Sequence, residues 1–144
     1  MNDFQENSRI FAIHSHITHK EMAKVMIVDD EPSILMSLDF LMKKNGFEVF
    51  IARNGAEALE IGNKEKPDVI ILDVMMPEVD GYEVCEKIKA NVETKHAKVI
   101  FLSAKGKDTD INKGLSLGAE MYMTKPFSTR VLLENVKQLI QKEI

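Results

Sequence analysis

What most constrains this chain is a repeated unit: a short apolar run that stops on a residue able to handle phosphate or metal, followed by a helical pattern. Lys24-Val25-Met26-Ile27-Val28 runs straight into Asp29-Asp30-Glu31, and Asp68-Val69-Ile70-Ile71-Leu72 ends on Asp73. Ala97-Lys98-Val99-Ile100-Phe101-Leu102 ends on Ser103, and Ala119-Glu120-Met121-Tyr122-Met123-Thr124 ends on Lys125-Pro126. Apolar runs of this length, separated by helical patterns, read as buried parallel strands. In such sheets the chemistry lies beyond the carboxyl ends of the strands. Asp29, Asp30, Asp73, Ser103 and Lys125 therefore converge on one rim. Three carboxylates there would repel one another, and a divalent cation is the simplest thing that stabilises them.

From Lys24 onward, strand and helix signals alternate five times. Pro32 suits a first helical turn and Asn45-Gly46 a helix end. Between them Ile34, Leu35, Leu38, Leu41 and Met42 follow helical spacing on one face. Phe47 to Ala52 alternates apolar and polar and reads as a second strand. Asn54 with Glu57 is a helix-capping pair, for a helix running to about Lys64. Asp80 with Glu83 repeats it ahead of Val84, Cys85 and Ile88. A weaker helix covers about Asp108 to Leu117, loosened by Gly114. The last starts near Ser128 and is expected to bury Val131, Leu132, Val136, Leu139 and Ile140. Five βα units predict an α/β fold with a parallel five-stranded sheet between two helical layers. Right-handed crossovers and the flavodoxin-like strand order 2-1-3-4-5 place strands 1 and 3 side by side at the switch point. That order gathers Asp29, Asp30 and Asp73.

A chain of 144 residues, 44% of them hydrophobic, fits one domain with a full core. Its boundaries are read as 22–144, with residues 1–21 a mobile extension. His14, His16 and His19 lie in that extension; with no carboxylate cluster or Cys nearby they read as solvated rather than as a metal site. A net charge of −4 argues against direct nucleic-acid binding. No stretch is long and apolar enough to span a bilayer, and the N-terminus lacks a signal-peptide pattern. Cys85 is the only cysteine, which excludes an internal disulfide and a thiolate metal site and fits a reducing cytoplasm. Nine Met and no Trp imply an aliphatic, adaptable core.

A carboxylate such as Asp73 can attack phosphorus and form an aspartyl phosphate. Both partners are anionic, so the attack needs neutralisation. Mg²⁺ suits it, being a hard cation that binds carboxylate and phosphate oxygens. Asp30 and Asp73 could ligate it, with Asp29 acting directly or through water. Lys125 would neutralise one phosphoryl oxygen and Ser103 would donate a hydrogen bond to another.

These residues together resemble a receiver domain of bacterial two-component response regulators. The likeness covers about Ala23 to the C-terminus. It rests on Val28-Asp29-Asp30-Glu31, on Asp73 within Leu72-Asp73-Val74-Met75-Met76-Pro77, on Gly81, on Ser103-Ala104 and on Lys125-Pro126-Phe127. The resemblance implies that Asp73 is the phosphoacceptor and that Asp29 and Asp30 organise Mg²⁺, for which Mn²⁺ can substitute. Met75 would add its backbone carbonyl as a ligand. Ser103 takes the hydroxyl switch position, Lys125 that of the family's lysine, and Tyr122 the aromatic switch position. A cis peptide at Lys125-Pro126 is expected. The implied partners are a sensor histidine kinase or histidine phosphotransfer protein and a downstream protein target. Binding of that target would follow a change in the face formed by the fourth helix, fifth strand and fifth helix. The domain would catalyse only its own phosphotransfer and dephosphorylation. A stand-alone receiver and a piece of a longer regulator both fit the length, and a monomer and an activated dimer both fit the surface.

Three other readings compete. A haloacid-dehalogenase-like phosphatase needs a second Asp two residues after its nucleophile, where this chain has Met75. A flavodoxin-like cofactor binder wants a Gly- or hydroxyl-rich phosphate loop after the first strand, where this chain has Asp29-Asp30-Glu31-Pro32. A phosphorylation-independent interaction module would have no use for the complete set of acids, Ser103 and Lys125.

Overall fold

The computed structural model describes residues 22–141. Its strands are β1 (Lys24–Val28), β2 (Glu48–Ala52), β3 (Val69–Leu72), β4 (Lys98–Ser103) and β5 (Met121–Thr124). They alternate with α1 (Pro32–Lys44), α2 (Gly55–Glu65), α3 (Gly81–Ala90), α4 (Asp108–Ser116) and α5 (Thr129–Gln141). The sheet order is β2-β1-β3-β4-β5 and every pairing is parallel, the expected flavodoxin-like α/β arrangement. The extension 1–21 and its three His lie outside the described residues.

Local chemistry sets the helix limits. The Asn54 side chain accepts the Glu57 N–H at 2.8 Å, and the Glu57 carboxylate accepts the Arg53 N–H at 2.8 Å. Asp80 accepts the Glu83 N–H at 2.9 Å at the start of α3. The bonds accepted by Asn54 and Asp80 each satisfy an amide that the first helical turn leaves without a partner. Helix α1 starts differently, with Pro32 in its first turn and no side-chain cap. It stops at Asn45-Gly46, where Gly46 takes φ +89°, a left-handed conformation that glycine adopts without a Cβ clash.

Strands β1, β3 and β4 bury both faces. Met26, Val28, Ile70, Leu72, Val99 and Phe101 face one helical layer, against Ala58, Val84, Cys85 and Ile88. Val25, Ile27, Val69, Ile71, Ile100 and Leu102 face the other, against Leu35, Leu38, Met42, Leu132, Val136 and Leu139. Successive strand residues point to opposite faces, so one short apolar run serves two cores. Each fully buried aliphatic side chain contributes about 1.5–3 kcal/mol. Cys85 is fully buried, and burial pushes its thiol up to about 11, as fits a packing role.

Two expectations need correcting. The run ending at Thr124 is not fully buried: β5 is an edge strand with β4 as its one partner, and its residues are half-buried or exposed. In α5 the buried set is Leu132, Val136 and Leu139, while Val131 is exposed and Ile140 half-buried. A helix over a sheet buries a narrow stripe, and those two residues fall on its margins.

Candidate functional site

The rim is built by strand ends. Backbone pairing continues one residue past β1 and β3: the Asp29 N–H donates to the Ala52 carbonyl at 3.2 Å and the Asp73 N–H to the Val28 carbonyl at 2.9 Å. The Lys125 N–H donates to the Ser103 carbonyl at 2.9 Å, which joins the ends of β4 and β5. The peptide between Lys125 and Pro126 is cis. Gly81 opens α3 against the loop that follows Asp73: a Cβ there would meet the Asp73 carbonyl oxygen and come within 2.8 Å of the Val74 Cα.

Asp29, Asp30 and Asp73 each offer an oxygen within 4.8 Å of the others. Asp29 and Asp73 are buried and Asp30 is exposed. Asp29 is engaged at both oxygens, taking the Glu31 N–H at 2.9 Å on one and the Lys125 ammonium at 3.0 Å on the other. Lys125 also reaches Glu31 at 3.2 Å and lies 3.9 Å from Asp73. One cation thus sits among four acids, which leaves the rim with a net negative charge. Hard oxygen donors in excess, two of the three carboxylates of the cluster buried, are the donor set that suits a small divalent cation.

The electrostatics follow from this crowding. Burial, then the Asp29 charge, push the Asp73 carboxyl up to about 6. Lys125 and the Met75 N–H, at 3.3 Å, hold it lower than it would otherwise be, while Asp30 adds to the rise. Burial disfavours the Lys125 ammonium, yet the bond to Asp29 and the charges of Asp73 and Asp29 outweigh it and raise that group's pKa.

Ser103 is fully buried, and its hydroxyl oxygen accepts the Lys105 N–H at 3.2 Å. Accepting uses a lone pair and leaves the O–H proton for another acceptor. Met75 lends its N–H to Asp73 and stands half exposed, at 53%. Tyr122 is half-buried on β5, and its hydroxyl donates to the Lys105 carbonyl at 2.6 Å, so it already spans to the loop after β4.

Sequence reasoning overlooked two residues here. Glu31 was visible as the third acid of Asp29-Asp30-Glu31, but its competition for Lys125 needs the residues past β5 to reach across the rim to those past β1. Tyr82 carried no signal, because its hydroxyl meets the Asp110 carbonyl, 28 residues further on.

A family model described as the response regulator receiver domain matches residues 25–137. The chemotaxis protein CheY4 of Vibrio cholerae has a similar structure, with TM-score 0.77 and 32% identity over 82% of this chain and 98% of that one. The receiver domain of Francisella response regulator 1452 gives TM-score 0.78 and 34% identity over 85% of this chain and 99% of that one. The receiver domain of a signal transduction histidine kinase from Syntrophus aciditrophicus gives 0.77 and 33% over 83% and 91%. Among the described residues no helix is long and apolar enough to cross a membrane.

Proposed function

This chain belongs to the response regulator receiver domain family, and from that premise we propose that Asp73 is its phosphoacceptor. A receiver is a module of two-component signalling rather than an enzyme, and the family implies a histidine kinase as partner. The observation that carries the assignment is the rim itself. Asp73 is buried beside Asp29, has its oxygen 3.9 Å from Lys125, and is held by the Met75 N–H. A nucleophile, a counter-cation and a metal-ligating pair meet there.

We take residues 22–144 as the receiver. Asp29, Asp30, Asp73 and the Met75 backbone carbonyl would hold Mg²⁺, with Mn²⁺ as a substitute. The bound cation supplies charge neutralisation to the phosphoryl oxygens. A phosphohistidine, on the kinase or on a histidine phosphotransfer protein, presents its phosphorus to Asp73. An Asp73 oxygen forms the new P–O bond as the P–N bond breaks. The electron pair leaves on the imidazole nitrogen, which takes up a proton. Lys125 shifts from Asp29 and Glu31 toward the phosphoryl oxygens, and the Ser103 O–H donates to another of them.

The aspartyl phosphate brings roughly two negative charges to a site that already repels them. Ser103 and Lys105 share a hydrogen bond, and Lys105 carries the Tyr122 hydroxyl on its carbonyl, so a shift of Ser103 is felt at Tyr122. The face of α4, β5 and α5 then changes for a downstream protein target. This is one equilibrium biased by one charge event. The reading places the chain in the cytoplasm, without nucleic acid as a direct partner, as a monomer or as a dimer formed on activation.

The test is intact-mass measurement after incubation with acetyl phosphate and Mg²⁺. The parent gains one phosphoryl group; Asp73→Asn and a metal-free sample gain none. An equal gain in Asp73→Asn would remove Asp73 from the role.

A further inference from the structure

Tyr82, in the first turn of α3, is buried although it carries a hydroxyl. The hydroxyl donates to the Asp110 carbonyl in the first turn of α4 at 3.0 Å. Its ring meets Phe101 edge-on, with centroids 5.5 Å apart, and the Lys113 ammonium of α4 lies 4.5 Å from the ring centroid. Phe101 in turn packs against Tyr122 at 5.6 Å. Helix α4 presses onto the last two rings through Gly114, where an added Cβ would come within 2.9 Å of both. Burial and then the neighbouring Tyr122 hydroxyl push the Tyr82 phenol up.

Two routes thus lead from the rim to α4. One runs from the Ser103 hydroxyl through Lys105 to the Tyr122 hydroxyl and ring, and so to Gly114. The other starts at the Asp73 loop. The Gly81 N–H donates to the Val74 carbonyl at 2.9 Å, and Gly81 leaves no space between α3 and the Asp73 carbonyl. The next residue is Tyr82, bonded to Asp110. Rigid attachment at one end and a single hydrogen bond at the other make Tyr82 a strut between the loop that carries Asp73 and the N-terminal turn of α4.

We propose that Tyr82 is a second aromatic positioning residue of the switch: its bond to Asp110 and the Tyr122 bond to Lys105 hold α4 and support each other through Phe101, so that loss of one weakens the hold of the other. The inference rests on the receiver reading above. It predicts that the two hydroxyls are energetically coupled through the Phe101 ring that both tyrosines touch.

The experiment is amide hydrogen exchange on the full chain, as the parent, Tyr82→Phe, Tyr122→Phe and the double variant, each with and without acetyl phosphate and Mg²⁺. Mass measurement reports the phosphorylated fraction of each sample. Replacing Tyr by Phe keeps the ring, so the core stays filled. Tyr82→Phe should speed exchange of residues 111–117 by about fivefold, as expected for one net hydrogen bond, and leave β1 and β3 unchanged. The double variant should depart from the product of the single effects. The difference between phosphorylated and unphosphorylated exchange in α4 should shrink in Tyr82→Phe. Unchanged α4 exchange, a rise spread evenly over the domain, or strictly multiplicative effects would each reduce Tyr82 to core filling. A parent whose α4 exchange ignores phosphorylation would instead overturn the switch reading, and the coupling with it.

Discussion

Replacing Asp73 by Asn should stabilise the metal-free protein, and the gain should depend on pH. The folded environment raises the Asp73 carboxyl from its ordinary 3.8 to about 6, through burial first and the Asp29 charge second. A carboxyl whose pKa rises on folding binds protons more tightly in the native state. Stability therefore falls as pH climbs through the window from 3.8 to about 6, and the full cost is present above it. At 1.36 kcal/mol per unit, that rise costs about 3 kcal/mol. Asn has the same shape and can still accept the Met75 N–H, so it removes the charge with little change in packing. Urea titrations with a chelator present should show Asp73→Asn more stable by about 2–3 kcal/mol at pH 8 and by almost nothing near pH 4. Mg²⁺ should then act on the parent alone. At a hundred times its dissociation constant, a ligand of the folded state adds about 2.7 kcal/mol, enough to erase the advantage of the variant. Equal stability of the two proteins at pH 8 without metal would refute the reasoning. So would a gain of the same size at pH 4, which would point to packing instead of charge.

Three further outcomes follow from the same geometry. Lys125→Met leaves Asp29 buried without its cation and should cost about 1–3 kcal/mol in urea titrations, with Mg²⁺ restoring part of the loss; no loss would mean that the pair is solvent-screened. Gly81→Ala forces a Cβ onto the Asp73 carbonyl and should destabilise by about 1–3 kcal/mol while slowing labelling by acetyl phosphate; wild-type melting and labelling would show that the loop yields easily. Met75 carries a bulky, half-exposed apolar side chain two residues after Asp73, so Met75→Asn should shorten the lifetime of a phosphorylated Asp73 by admitting water, as followed by intact mass over time; an unchanged decay rate removes Met75 from that account.

The aliphatic interior shows why some features were legible. Runs such as Val69-Ile70-Ile71-Leu72 are apolar at every position because both faces of a central strand are buried, and that pattern is written locally. Helix starts at Asn54 and Asp80 were equally local, since a cap and its amide lie three residues apart. The edge character of β5 was not legible, because Met121-Tyr122-Met123 is as apolar as a central strand. Its exposure depends on having one neighbour instead of two.

The sequence by itself determined the five βα units, the helix limits and which residues end each strand, because those depend on neighbours within a few positions. It also determined that Asp29, Asp30, Asp73, Ser103 and Lys125 share one rim, since a parallel sheet sends all its strand ends the same way. Only the tertiary structure decided how these groups divide the charge. Lys125 meets Asp29 at 3.0 Å and Glu31 at 3.2 Å but stands 3.9 Å from Asp73, across more than fifty residues of chain. Likewise, α4 came to rest on Phe101 and Tyr122 through Gly114, with Tyr82 bonded to its first turn. Such contacts are set by the closing of a three-dimensional core around particular volumes, and no spacing along the chain encodes them.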